Sequence, residues 1–234
     1  MPPRTLLPVW AALLTCALSP LASFAADAPA AADATPSKPE ATAPSAKVEL
    51  FNGKDLTGWT SFLKGGAPAA ETWSVKDGLL VCTGKPNGFL RTAKSYKQYK
   101  FTVEWRFTKP GNTGVVVHMS QPDAIWPKSI ECQGMHKSQG DFYLWSGATA
   151  KEGVAMKGKD GAVRGYRIGK QADAEKPAGE WNTFTTICDK DTVTILVNGK
   201  EVNKATGLNL TEGAIGLQSE GGAFEVRRCT LEPL

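Results

Sequence analysis

The sequence predicts an all-β fold, a two-sheet antiparallel sandwich of jelly-roll type, on three observations. Short runs with period-two alternation follow one another along most of the chain, separated by Gly, Asp and Asn turn signals. The clearest is residues 99–108, where Phe101, Val103, Trp105 and Phe107 form an apolar face and Thr102, Glu104 and Arg106 a polar one. Helical periodicity is nearly absent, and about a dozen short strands with glycine turns suit two packed sheets.

Taken in order, residues 72–75 and 79–83 flank a Lys-Asp-Gly turn and read as a hairpin. Residues 88–92 form a short strand, followed by 99–108 and then 114–120, where Val115, Val117 and Met119 alternate with Val116 and His118. Strands at 129–133 and 141–145 come next, and then a long polar stretch rich in Gly and Lys, 146–179. Beyond it, 181–188, 192–197 and 201–203 form a meander whose Asn198-Gly199 turn is the strongest hairpin signal in the chain. Residues 213–219 and 223–231 complete the set.

The N-terminus has a different composition. Residues 1–25 carry Arg4, then an apolar run, with Ser23 and Ala25 where a cleavage site needs small residues. This is the pattern of a cleaved secretory signal peptide, too short for a spanning helix. Cys16 follows Thr15, a poor match to a lipid-attachment site. Residues 26–46 are Ala-, Pro-, Thr- and Ser-rich with no large apolar side chain, so they read as a disordered linker. The domain is then 47–234, enough chain for one substantial core. Nothing after residue 25 is apolar enough to span a membrane, and the expected location is secreted or periplasmic.

The net charge of +4, without a dense Lys/Arg stripe, argues against nucleic acid as a partner. Four cysteines follow the leader, Cys82, Cys132, Cys188 and Cys229. In an exported chain they permit one disulfide, two or none, and they show no zinc-binding spacing.

The polar faces carry the candidate site. In the strand that opens residues 129–145, Ile130 and Cys132 suit a buried face, which turns Glu131 and Gln133 outward about 7 Å apart. His136 follows at the strand's end, and Trp126 and Trp145 flank the strand as candidate sugar platforms. Glu104, Arg106 and His118 also oppose the apolar sides of their strands, so one groove lined by all of them is expected. The chain has only two histidines, His118 and His136, and both fall on this candidate surface. Glu220, at a glycine-rich corner, could reach the same groove but reads more readily as a turn residue, as does Asp141 after Gly140.

Several stretches together resemble the 3-keto-disaccharide hydrolase family, once a domain of unknown function, with a concanavalin- or laminarinase-like jelly roll. They are LFNGKDLTGW from residue 50, EWR from 104 and GNTGVVVH from 111, then SIECQ from 129 and GDFYLW from 140. GEWNTFT from 179, VNGK from 197 and the run from Gly213 to the end close the match. The resemblance implies an exported bacterial enzyme that cleaves 3-keto-glycosides. Two positions depart from the family pattern, His118 where Arg is common and Met135-His136 where an Asp often follows the Glu-x-Gln pair.

Glu131 is the lone carboxylate on its strand, so an ordinary two-carboxylate glycosidase would need Glu104 from a neighbouring strand. A ketone at C3 instead acidifies the C2 hydrogen, so a base can remove it, the C1 oxygen can leave, and water can add. The expected catalytic set is His118, Glu131 and His136, with imidazoles suited to proton transfer near neutrality. Arg106 is expected to stabilise the enolate, and Glu104, Gln133, Trp145 and Gln218 to bind the sugar. His118, Glu131 and His136 are also the candidate ligands of a divalent metal. Two other function classes fit the same composition, a carbohydrate-binding, lectin-like module and a scaffold domain of the cell envelope.

Overall fold

A computed structural model of the protein describes residues 40–121 and 123–234. The segment expected to be a leader, residues 1–25 with Cys16, and most of the expected linker lie outside the described residues. The folded chain starts before the expected residue 47. Ala41 is buried, and Thr42 exchanges backbone hydrogen bonds with Ser95 and Lys97 at 3.1 Å each.

Among the described residues, sixteen strands make two antiparallel sheets of eight strands each. The first runs β14 (Lys200–Ala205), β13 (Thr192–Val197), β12 (Asn182–Asp189), β6 (Tyr99–Phe107), β16 (Phe224–Glu232), β4 (Leu79–Cys82) and β3 (Trp73–Lys76), with β1 (Val48–Glu49) also on β16. The second runs β10 (Val154–Lys157), β11 (Val163–Ile168), β9 (Phe142–Trp145), β8 (Ser129–Gln133), β7 (Gly114–Met119), β15 (Ala214–Ser219), β5 (Gly88–Thr92) and β2 (Trp59–Leu63). This is the jelly-roll sandwich the alternation predicts, and the observed strand limits mostly fall within a residue or two of the expected ones.

The core lies between the sheets. Phe101, Val103, Trp105 and Phe107 of β6 meet Val115 and Val117 of β7, Ile130 and Cys132 of β8, and Phe142 and Leu144 of β9. Burying each such side chain contributes about 1.5–3 kcal/mol, the main force joining the sheets. Cys82, Cys132, Cys188 and Cys229 are all buried free thiols, so of the bridge patterns left open, none is formed. Burial raises each thiol's pKa, which suits a packing role.

Two strands, β10 and β11, lie inside the stretch that reads as irregular. Both are largely exposed and β10 is an edge, so neither shows the apolar alternation that marks a half-buried strand.

The pairing of β7 is irregular where it meets β15, between Ala214 and Gly216, and His118 there has φ = 55°. The extra residue turns His118 off the outer face. Its ring meets Tyr99 of the core at 6.0 Å, edge to face, while Met119 joins Phe89 and Val116 outside.

Candidate functional site

The outer face of the second sheet holds a buried polar cluster centred on Glu131. Cys132 faces the core, so its neighbours Glu131 and Gln133 project outward. The ladder sets Glu131 opposite Val116 on one side and Tyr143 on the other, and sets Gln133 opposite Gly114. Gln218 lies over Gly114. A Cβ at that glycine would stand 2.6 Å from Gln218 Oε1 and 3.4 Å from Glu131 Cγ, so the missing side chain makes the hollow they share.

Although it faces outward, Glu131 is only 2 % exposed. The Trp145 indole N–H donates to Oε2 at 2.6 Å, and Gln133 Nε2 donates to Oε1 at 3.1 Å. Gln133 Oε1 in turn accepts the Met135 N–H at 2.9 Å, which fixes the amide's orientation. Trp145 can lie over β11 because Gly165 is there, where a Cβ would come 3.3 Å from its ring.

Burial pushes the Glu131 carboxyl up from 4.5 to about 7, and the nearby Glu220 carboxylate pushes the same way. The hydrogen bonds from Trp145 and Gln218 oppose that rise without cancelling it. Burial also raises Glu220, whose Oε2 accepts from Asn112 Nδ2 at 2.9 Å. Two acceptors here, Gln218 Oε1 and Asn112 Oδ1, are buried without a donor among the described residues. Unmet buried acceptors are uncommon, and beside a carboxyl pair they are suited to ligand hydroxyls.

Aromatic rings border the cluster. Tyr143 stacks on Trp145 with centroids 5.9 Å apart, and Trp126 meets Trp145 at 5.5 Å. The segment bearing Trp126 is anchored by Arg91, which grips both oxygens of Asp123 at 2.8 and 2.9 Å, and by Ser146 Oγ donating to the Trp126 carbonyl at 2.8 Å.

The structure brings together Glu131, Gln133, Trp145 and Gln218 of the residues expected from sequence, and adds Glu220 and Asn112. The turn reading of Glu220 missed this because only the pairing of β15 with β7 carries the Gly-rich corner after Ser219 beside residue 112. The other expected residues lie elsewhere. Glu104 and Arg106 belong to β6 of the first sheet, so they face the opposite side of the sandwich, paired with Arg227 at 2.6 Å and Glu225 at 2.7 Å.

His118 is fully buried, with Nδ1 2.9 Å from the Leu210 carbonyl, and burial lowers its pKa to about 4. A neutral ring donating to a carbonyl inside the sandwich cannot reach a ligand on the outer face. His136 lies past the end of β8, paired through Nδ1 with Glu175 at 2.6 Å in a cavity whose lining excludes Glu131. Among the described residues no three His, Cys, Asp or Glu side chains converge as a metal-ligand group, so His118, Glu131 and His136 do not form one. Asp141 does act as a local anchor, taking the Arg167 guanidinium at 2.6 Å and the Lys170 N–H at 2.8 Å.

On this jelly roll a carboxyl pair, amides and aromatic rings share one outer sheet face. Residues 46–232 match the 3-keto-alpha-glucoside-1,2-lyase-like domain, and the chain belongs to that family. A 3-keto-disaccharide hydrolase of Bacteroides thetaiotaomicron is 24 % identical over 160 residues, covering 62 % of this chain and 53 % of the relative. The match thus spans about half the length of that curated relative. Among solved structures, a provisionally assigned glycosyl hydrolase of Parabacteroides distasonis superposes with a TM-score of 0.59 at 20 % identity, covering 81 % of this chain and 94 % of that one. The carbohydrate binding module CBM66 of Bacillus subtilis gives 0.53 at 14 % identity, covering 75 % and 95 %.

Proposed function

We propose that the Glu131 face cleaves 3-keto-glycosides by elimination and hydration. The observation that carries this reading is a buried carboxyl raised to about 7 next to a second raised carboxyl. Coupled carboxyls in this state can hold a single proton between them, one group serving as base and the other as acid. Glu220 takes the proton from C2, activated by the neighbouring C3 ketone, and the electron pair moves into the C1–C2 bond as the C1–O bond breaks. Glu131, which holds the shared proton, gives it to the departing oxygen. Water then adds at C1 and a proton returns to C2, giving the free 3-keto sugar. The family's description as a 1,2-lyase names the same bond change.

Trp145 and Gln133 are positioning residues for Glu131, and Gln218 and Asn112 offer acceptors to sugar hydroxyls. The expected roles of His118 and Arg106 are not carried forward, because neither side chain lies on this face. Export through the leader at 1–25 completes the proposal, and sequencing the N-terminus of the protein recovered outside the cytoplasm would test it.

A 3-keto-glucoside deuterated at C2 tests the mechanism. Elimination predicts a primary isotope effect on release of the leaving group and, in ordinary water, loss of the deuterium from C2. Release with no isotope effect and no exchange contradicts it. Saturable binding without any release would favour the second reading, a binding module, to which the CBM66 likeness and the unmet amide acceptors lend support.

A further inference from the structure

A second cluster lies at the end of the sandwich beyond β8, where the turn at 134–140 meets the segment at 169–178. Between them is a cavity of about 550 Å³ lined by His136, Lys137, Asp173, Glu175, Lys176 and Pro177. Its floor is a preset pair. Glu175 accepts from His136 Nδ1 at 2.6 Å and from the Lys137 backbone N–H at 2.8 Å, so both of its oxygens are engaged within the fold. A carboxylate only accepts, so the proton sits on Nδ1 and the ring is held in one orientation. Among the described residues Nε2 has no hydrogen-bond partner, and it faces the cavity as an acceptor.

The local charge is unbalanced. Lys170 is used internally, bonding the Lys137 carbonyl at 2.8 Å and pairing with Asp173, and Lys200 reaches the Asp173 carbonyl at 3.4 Å. Lys137 and Lys176 have no side-chain partner among the described residues. The two carboxylates here are therefore committed, while two ammonium groups and an imidazole remain available. Elsewhere on this domain the arginines Arg91, Arg106, Arg164, Arg167, Arg227 and Arg228 are each paired with a carboxylate.

We propose that this cavity is an oxyanion-binding site, one that takes the carboxylate of an acidic sugar on Lys137 and Lys176, with His136 Nε2 accepting from a hydroxyl of the same sugar. The Glu175 pairing presets the imidazole and so lowers the ordering cost of binding. The site is read from its own residues and stands apart from the chemistry assigned to Glu131.

Titration of the full chain with D-glucuronate, D-glucose and inorganic sulfate, followed by amide NMR, tests this. Glucuronate should shift the amides of residues 135–138 and 173–177 saturably, and glucose should not. Lys137→Asn and Lys176→Gln, both at exposed positions that leave the fold intact, should each weaken glucuronate about fivefold to tenfold, the scale of one lost charge contact in a half-wet site. Raising the ionic strength to about 1 M, where screening acts within about 3 Å, should weaken it similarly. Sulfate binding as tightly as glucuronate would keep the oxyanion site but replace the sugar acid with a free anion. No saturable shift with either anion, or glucuronate binding unmoved by both substitutions, overturns the proposal. Because the readout is binding, failure here is distinguishable from failure of the elimination chemistry.

Discussion

The outer faces of the two sheets look alike in sequence and differ in how their polar groups are satisfied. On the first sheet Glu104 is paired with Arg227 and Arg106 with Glu225, and both guanidinium groups lie 4.7 Å from the Trp181 ring. Each of these four charges has its counter-charge and remains in contact with water. On the second sheet Glu131 is sealed beside another carboxyl, and two amide oxygens lack donors among the described residues. A solvated polar face satisfies itself, whereas a face meant for a ligand is left incomplete. Partner satisfaction, and not polarity, separates them.

The sharpest way to break this contrast is Glu131→Gln, which keeps the shape and removes the proton-transfer group. Turnover should fall by about 10²–10⁴-fold, the usual contribution of a positioned acid or base. The matching Glu104→Gln on the first sheet should leave turnover unchanged and cost at most about 1 kcal/mol, because exposed ion pairs contribute little.

The same Glu131→Gln substitution should raise stability at alkaline pH, read by urea unfolding. Folding raises this carboxyl from 4.5 to about 7, so the native state holds its proton longer than the unfolded chain does. Stability therefore falls as pH climbs through that window, by on the order of 3 kcal/mol in all. At pH 8 the variant should recover part of that loss, while at pH 4 it should gain nothing. Equal stability of the two proteins at both pH values would show that Glu131 is not desolvated.

A smaller effect is expected from Trp145→Phe, which removes the indole donor to Glu131 Oε2. That hydrogen bond favours the charged carboxylate, so its loss should move the alkaline limb of the pH–rate profile upward by about one unit, equivalent to roughly 1.4 kcal/mol. An unmoved limb would detach Trp145 from the carboxyl's chemistry.

His118 sharpens the contrast from inside the sandwich. Burial lowers its pKa from 6.5 to about 4, so the unfolded chain takes up the proton first as pH drops. Stability should decline from pH 6.5 down through 4, and His118→Gln should flatten that decline without removing turnover in the protein that folds. Loss of turnover in a folded His118→Gln protein would restore the histidine to the chemistry.

Much of the fold was legible because alternation reports burial directly. Residues 99–108 show this most clearly, since every second side chain is apolar and every one of those is core. Strand β11 was hidden because Gly165 and two arginines interrupt its pattern while it sits near a sheet edge. At the site, the Glu131 and Gln133 pair was legible from local alternation alone.

Which polar faces share a sheet was not. Residues 104 and 131 alternate in the same way, and only the strand order puts them on opposite sides of the sandwich. His118 failed for another reason, since one irregular pairing beside β15 inverts the side on which the ring emerges. Glu220 was missed because its partner Asn112 is far away in sequence.

The most direct test compares release of the leaving group from a 3-keto-glucoside by wild type, Glu131→Gln and Glu104→Gln, all confirmed folded by circular dichroism. The account predicts that wild type and Glu104→Gln turn over alike and that Glu131→Gln is nearly silent. Wild-type turnover by Glu131→Gln, or loss in Glu104→Gln alone, would contradict the assignment of the active face to the second sheet.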